Sequence, residues 1–120
     1  MNPIERYQRL LPHCADIQGS AFGDGSRARL THQRLFVLCV LYQTPTSAAV
    51  RLWALEAKQN QPELYATIRR LGQRSAIGRI LRAVWRQGLI ERIEPAPRVC
   101  EWHPSPELKR VIRRYVRRSR

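Results

Sequence analysis

The run Gly72–Ile90, Gly-Gln-Arg-Ser-Ala-Ile-Gly-Arg-Ile-Leu-Arg-Ala-Val-Trp-Arg-Gln-Gly-Leu-Ile, narrows the possible folds more than any other stretch. Ile77, Ile80, Leu81 and Val84 recur at i, i+3, i+4 and i+7, which puts them on one stripe of a helix. Ser75, Arg79, Arg82 and Arg86 fall on the opposite side. Both ends carry signals. Ser75 is expected to N-cap the helix by accepting a hydrogen bond from a first-turn N–H. Gly88 stands where a left-handed C′ residue is wanted. A helix that packs on one side and shows three arginines on the other suits the recognition helix of a helix-turn-helix.

The residues after this helix extend the pattern. Leu89-Ile90-Glu91-Arg92-Ile93 alternates as a strand does, Pro95-Ala96-Pro97 reads as a turn, and Val99-Cys100-Glu101-Trp102 reads as the returning strand. Helix, Gly-Leu-Ile and basic hairpin come in the order of a winged helix-turn-helix. The expected fold is therefore mainly α, a winged helix-turn-helix with a small two-stranded β wing and extra N- and C-terminal helices. Residues 1–30 are expected to form an N-terminal helix and flexible arm. Residues 31–103 form the winged domain, and 104–120 a basic C-terminal helix and possible dimerisation element.

The charge balance names the partner class. Twenty-two Lys and Arg against nine Asp and Glu give a formal net charge of +13 on 120 residues. Such self-repulsion opposes compaction unless a polyanion neutralises it, and nucleic acid is the common polyanion. An apolar content of 43% is that of a folded chain, and the length is that of one small domain whose core a dimer partner would help. An anionic membrane surface fits less well, because the positive charge is not gathered on one amphipathic helix. The longest apolar run, Leu35 to Tyr42, is too short to span a bilayer, and Met1 to Arg6 does not read as a signal peptide. Cys14, Cys39 and Cys100 are odd in number and irregular in spacing, as reduced thiols are. A cytoplasmic, nucleoid-associated protein is expected.

The rest of the chain supplies helices. Residues 2–11 read as a short helix capped by Asn2, with Pro3 at its first position and Ile4, Tyr7 and Leu11 on one face. Residues 13–29, with half of the six glycines, read as a loop or linker, with Arg27 and Arg29 at its end. Thr31 caps a buried helix to about Tyr42, for which a buried strand is the competing reading. Thr46 or Ser47 caps another to about Lys58, with Ala49, Leu52, Trp53 and Glu56 on its stripe and Trp53 in the core. Glu63 to Leu71 makes a third, with Arg69 and Arg70 outside, and Gly72-Gln73-Arg74 has the length and glycine of a helix-turn-helix corner. Ser105, Pro106 and Glu107 start a last helix. Its stripe, Leu108, Val111, Ile112, Tyr115 and Val116, is expected to pair with a twin in a homodimer; packing on its own domain is the alternative.

Two pieces resemble the DNA-binding domain of the ferric uptake regulator family. Leu30-Thr31-His32-Gln33-Arg34-Leu35 is similar to that family's Leu-Thr-Pro-Gln-Arg-Leu. Ser75-Ala76-Ile77-Gly78-Arg79-Ile80-Leu81-Arg82, with Gly88-Leu89-Ile90 at the same distance, is similar to its Ala-Thr-Val-Tyr-Arg-Thr-Leu-Arg and Gly-Leu-Val. Arg-Ser-Ala-Ile-Gly-Arg and Gly-Leu-Ile-Glu-Arg also resemble the multiple-antibiotic-resistance repressors. The resemblance covers roughly residues 30–103 and implies the fold and DNA binding. It departs at Gly78, where the family has a DNA-contacting tyrosine, and in a longer segment before the recognition helix. The family's metal-binding domain has no counterpart in the 17 residues after His103, so metal sensing is not carried over.

On this reading Arg79 and Arg82 are the residues for base edges, since a guanidinium bonds guanine O6 and N7 bidentately. Gly78 lets the backbone approach the groove. Arg69, Arg70, Arg74 and Arg86 hold phosphates, with Ser75 and the helix N-terminus as neutral donors. Arg92 and Arg98 on the hairpin touch the flanking minor groove or backbone, and Arg113→Ala is expected to weaken binding of all duplexes alike. Cys100 and His103 have metal-ligand spacing and His13-Cys14 could add two ligands, but one such pair is weak support and no metal or cofactor is expected. Nor is catalysis: the acids are scattered, with only Glu91 and Glu94 close together. Trp85 and Trp102 could stack single-stranded bases, but Trp85 adjoins the packed stripe and reads as core. The leading expectation is sequence-specific binding of double-stranded DNA by a dimeric bacterial-type transcriptional regulator. The alternatives are a DNA-binding accessory protein of plasmid partition, replication or phage function, and a basic RNA-binding structural protein.

Overall fold

Local signals set most helix starts. In the computed structural model, which describes residues 1–22 and 29–118, Asn2 caps α1 (Pro3–Leu10), its Oδ1 accepting from Glu5 N at 2.9 Å. Thr31 caps α3 (His32–Gln43) by accepting from Arg34 N, and Thr46 caps α4 (Ser47–Asn60) by accepting from Ala49 N, each at 3.2 Å. α6 (Arg74–Arg86) precedes a hairpin of β1 (Ile90–Ala96) and β2 (Val99–Pro104). Ser105 caps α7 (Pro106–Arg118), accepting from Leu108 N at 3.2 Å. Mainly α with one two-stranded antiparallel sheet is the architecture.

The core is built around α3. Leu35 through Leu41 are all buried, so this run is a helix surrounded on every side and not a strand. Tyr7 of α1 meets Phe36 edge-on at 5.3 Å. α4 lies across α3, and α6 packs on both.

Four expectations are corrected here. The linker reading fails for residues 14–22: a 3₁₀ turn, Leu11–His13, runs straight into α2 (Cys14–Phe22). Ile17 is fully buried, and Gln18 Oε1 accepts from Leu30 N at 2.9 Å, tying α2 to the start of α3. Arg27 and the glycine pair at 23 and 25 lie outside the described residues.

The helix expected over Glu63–Leu71 is divided. α5 (Pro62–Ala66) ends at Thr67, and a separate 3₁₀ turn spans Arg69–Gly72. Thr67 Oγ1 donates to Leu64 O at 2.7 Å, a bond that competes with helix continuation. With that proton committed, Tyr7 Oη donates to Thr67 Oγ1 at 2.8 Å, anchoring the break to α1.

On α4 the buried stripe is Ala49, Val50, Ala54 and Ala57; Trp53 is only half-buried, Leu52 is exposed and Glu56 is exposed.

The stripe of α7 packs on its own chain. Leu108, Val111, Ile112 and Tyr115 are buried against α1 and α2, and Tyr115 meets His13 at 5.6 Å and Ser20 Oγ at 3.3 Å. The alternative reading of this helix is the one realised, and its apolar side is not free for a twin.

Candidate nucleic-acid interface

α6 begins two residues earlier than a Ser75 cap would start it. Gln73 holds the N-cap position without a side-chain bond, and Ser75 sits in the first turn, exposed, so the Ser75 cap is corrected. At the other end Gly88 has φ +77°, Gly88 N donates to Trp85 O at 2.9 Å, and Leu89 N donates to Val84 O at 3.1 Å. That pair of bonds is a Schellman motif, and Leu89 behind it is buried.

The cap directs the chain into the hairpin. Ile90 pairs with Pro104, Arg92 with Trp102 and Ile93 with Glu101, after which the register slips by one before Ala96 pairs with Val99. The slip is a bulge on β1 around Glu94 and Pro95. The turn is therefore Pro97-Arg98, one residue later than expected, with Arg98 at φ +64°. Proline followed by a left-handed residue is the φ pattern of a type II turn. Trp102 N donates to Pro45 O at 2.8 Å, which moors β2 to the α3–α4 connection.

This framework sets the basic side chains. At about 100° per residue, Ser75, Arg79, Arg82 and Arg86 fall within roughly 60° of arc on α6. All four are exposed, while Ile77, Leu81 and Val84 opposite them are buried. Arg79 Nε donates to Ser75 O at 3.4 Å, which lays the guanidinium along the helix toward its N-terminus. Two flanks widen the arc. On one, a hollow is lined by Arg34, Arg70, Gln73 and Arg79 among others. On the other, Arg51, Arg74, Gly78 and Ser47 line a second hollow between α6 and the start of α4. A Cβ on Gly78 would meet nothing, so the backbone there is open to an approaching ligand.

Leu64 to Ile90 contains six arginines and no Asp or Glu. Among the described residues none of Arg69, Arg70, Arg74, Arg79, Arg82 and Arg86 has a carboxylate partner. Arg69 and Arg70 are exposed on the 3₁₀ turn. The hairpin differs. Arg92 donates to Cys100 Sγ at 3.3 Å, pairs with Glu94 at 3.2 Å and lies 5.6 Å from the Trp102 ring centroid, so it is held and partly neutralised. Arg98 at the tip is exposed, without such a partner among the described residues.

Sequence reasoning missed Arg34 and Arg51, which the fold brings beside α6. Arg34 lies three residues past the Thr31 cap and donates to Arg29 O at 2.8 Å; one Nη of Arg51 is buried without a partner. Nothing in linear spacing relates either to residue 79. It also placed Trp85 in the core, whereas Trp85 is 43% exposed and meets Trp102 edge-on at 5.9 Å.

The conceivable metal ligands are not assembled. Cys100 and His103 project from opposite faces of β2. His103 Nε2 bonds Glu101 Oε1 at 2.8 Å, and Cys14 Sγ donates to Leu30 O at 3.3 Å. No helix among the described residues is by itself long and apolar enough to cross a membrane.

No known protein family, no curated protein and no solved structure matches the chain.

Proposed function

We propose that α3, α4, α6 and the hairpin act as a winged helix-turn-helix that binds double-stranded DNA by sequence, in a bacterial-type transcriptional regulator of the cytoplasmic, nucleoid-associated kind. The observation that carries the reading is the exposed arc of Ser75, Arg79, Arg82 and Arg86, unpaired with acids among the described residues, on a helix whose other side is buried. The chain order supports it too: helix, extended Thr44-Pro45 moored to β2, helix, a short helix and 3₁₀ turn, the arginine-bearing helix, hairpin. Arg79 and Arg82 address base edges, where a good bidentate pair is worth about 1–3 kcal/mol of discrimination. Arg34, Arg51, Arg69, Arg70, Arg74 and Arg86 hold phosphates, and Arg98 reaches the flanking backbone or minor groove. A homodimer would place two such helices in successive major grooves, and it would have to form through a surface other than the buried stripe of α7.

Selection of binding sites from random duplexes, then affinity measurements with Arg79→Ala, tests this reading. The expected result is a selected site bound far more tightly than random DNA, with preference relaxed at one base position in the variant. An unchanged preferred sequence and affinity in Arg79→Ala would remove α6 from the interface.

A further inference from the structure

α7 carries a second basic surface, and α6 does not use it. Arg110, Arg113, Arg114 and Arg117 recur at i, i+3, i+4 and i+7, and with Arg118 they line one shallow hollow. All five are exposed. None has a carboxylate partner among the described residues. Like charges at these spacings repel along a helix, so α7 is held by its buried stripe in spite of its outer face. That outer face is stabilised only when a polyanion supplies the missing countercharge.

The packing order separates the two basic faces. α6 packs on α3, α3 on α1, and α1 on α7. The arginines of α7 lie opposite the stripe it buries on α1 and α2, and Ser75, Arg79, Arg82 and Arg86 lie opposite the stripe that α6 buries on α3 and α4. The two basic faces therefore rest on different pairs of helices. A twin's copy of the α7 face cannot cover this one, because two such faces repel.

We infer that the α7 face binds the phosphate backbone of a second duplex segment, so that one chain bridges two stretches of DNA. This rests on the reading of α6 as the DNA-facing helix. The second contact is sequence-independent, since an arginine row on a helix face without convergent acceptors or apolar contacts reads charge and not bases.

The test uses the full chain, a biotinylated duplex on beads and a fluorescent second duplex of unrelated sequence. Wild type is expected to retain the second duplex on the beads. The triple variant Arg110→Gln, Arg113→Gln, Arg117→Gln keeps helix propensity and leaves the buried stripe intact. It is expected to stay bound to the first duplex while second-duplex capture falls about a hundredfold at 0.15 M salt, each lost phosphate contact weighing about 0.9 of a decade per decade of salt. The idea is overturned if wild type captures no second duplex. It is equally overturned if the triple variant captures as well as wild type, which would mean that paired α6 faces do the bridging. Co-sedimentation with phosphatidylserine vesicles that depends on these arginines, without duplex capture, would assign the face to a membrane instead. If the triple variant loses the first duplex while Arg79→Gln, Arg82→Gln binds normally, α7 is the primary DNA face, and both this inference and the proposed role of α6 fail; failure of capture alone leaves α6 untouched.

Discussion

Arg6 Nη1 donates to the carbonyl oxygen of Cys39 at 3.0 Å, from one helix into the middle of another. The oxygen has two lone pairs, so it can accept from Arg6 in addition to its helical partner. Arg6 is only 8% exposed, and its guanidinium lies 4.6 Å from the Tyr42 ring centroid. A cation is thus buried with a carbonyl and an aromatic face for company. Arg6→Ala loses a charge-assisted bond, a cation–π contact and the packing of the stem, and should destabilise by about 2–3 kcal/mol. Arg6→Met keeps most of the stem packing and should cost clearly less. Urea midpoints for the two variants decide it. Equal losses would mean that the guanidinium itself contributes nothing.

The other member of that pair predicts an alkaline limit. Burial pushes the Cys39 thiol up to about 12, against a weaker opposing pull from Arg6. The folded thiol stays neutral while the unfolded one ionises near its ordinary 9.0. The unfolded state then binds fewer protons, so stability falls as pH rises from 9.0 toward about 12. Below the unfolded value the contribution is fully present. One such group gives a slope of about 1.4 kcal/mol per pH unit. Tyr7, also raised from 10.0 by burial, adds to the loss at higher pH. Denaturant titrations between pH 9 and 10 should show the slope in wild type and its reduction in Cys39→Ala, the remainder coming from Cys14, whose thiol burial also raises above 9.0. An undiminished slope in the variant would place its origin away from Cys39.

Trp85 and Trp102 meet edge-on at 74°, yet only Trp102 is packed against the core. Trp85→Ala should therefore cost about 1 kcal/mol, the worth of an edge-to-face pair, and not the 3–5 kcal/mol typical of a core aromatic. Thermal melts read the difference directly. Its exposed ring beside the basic arc should also make Trp85 the fluorophore most quenched by DNA, so Trp85→Phe should remove most of the binding-induced change in tryptophan emission. Undiminished quenching in that variant would put Trp85 away from the bound duplex.

The elements legible in the sequence are those decided locally. Asn2, Thr31 and Ser105 can be named as caps, and Thr46 as one of two candidates with Ser47, because a cap is settled within four residues. The apolar stripes of α6 and α7 are readable because large residues sit opposite arginines. α2 is not, because Gly19-Ser20 sits within it and its fully buried anchor is Ile17 alone among the described residues. The buried side of α4 is misread because Leu52 and Trp53 outweigh alanines in any periodicity count, while the folded helix buries Ala49, Val50, Ala54 and Ala57. The break at Thr67 is anchored by Tyr7, sixty positions away. The basic arc of α6 is legible; its flanks, Arg34 and Arg51, are tertiary facts.

Gly78 provides the most direct separation of fold from function. It lies inside α6, where glycine costs about 0.8–1 kcal/mol relative to alanine. Its φ is not left-handed, and an added Cβ would touch nothing, so no packing in the folded chain requires it. Gly78→Ala should accordingly stabilise by about 1 kcal/mol and raise Tm by roughly 4 °C or more. If Gly78 lets the backbone of α6 close on a groove, the same methyl must weaken binding of the selected site while leaving weak, sequence-independent binding nearly unchanged. Arg98 is the converse case: at φ +64° it is strained where glycine would not be. Arg98→Gly should leave Tm unchanged or higher and reduce affinity for all duplexes alike, by one phosphate contact. Melting curves and binding isotherms on the same two preparations settle the matter. A Gly78→Ala chain that gains stability and keeps full site affinity would show that α6 does not approach DNA at this residue.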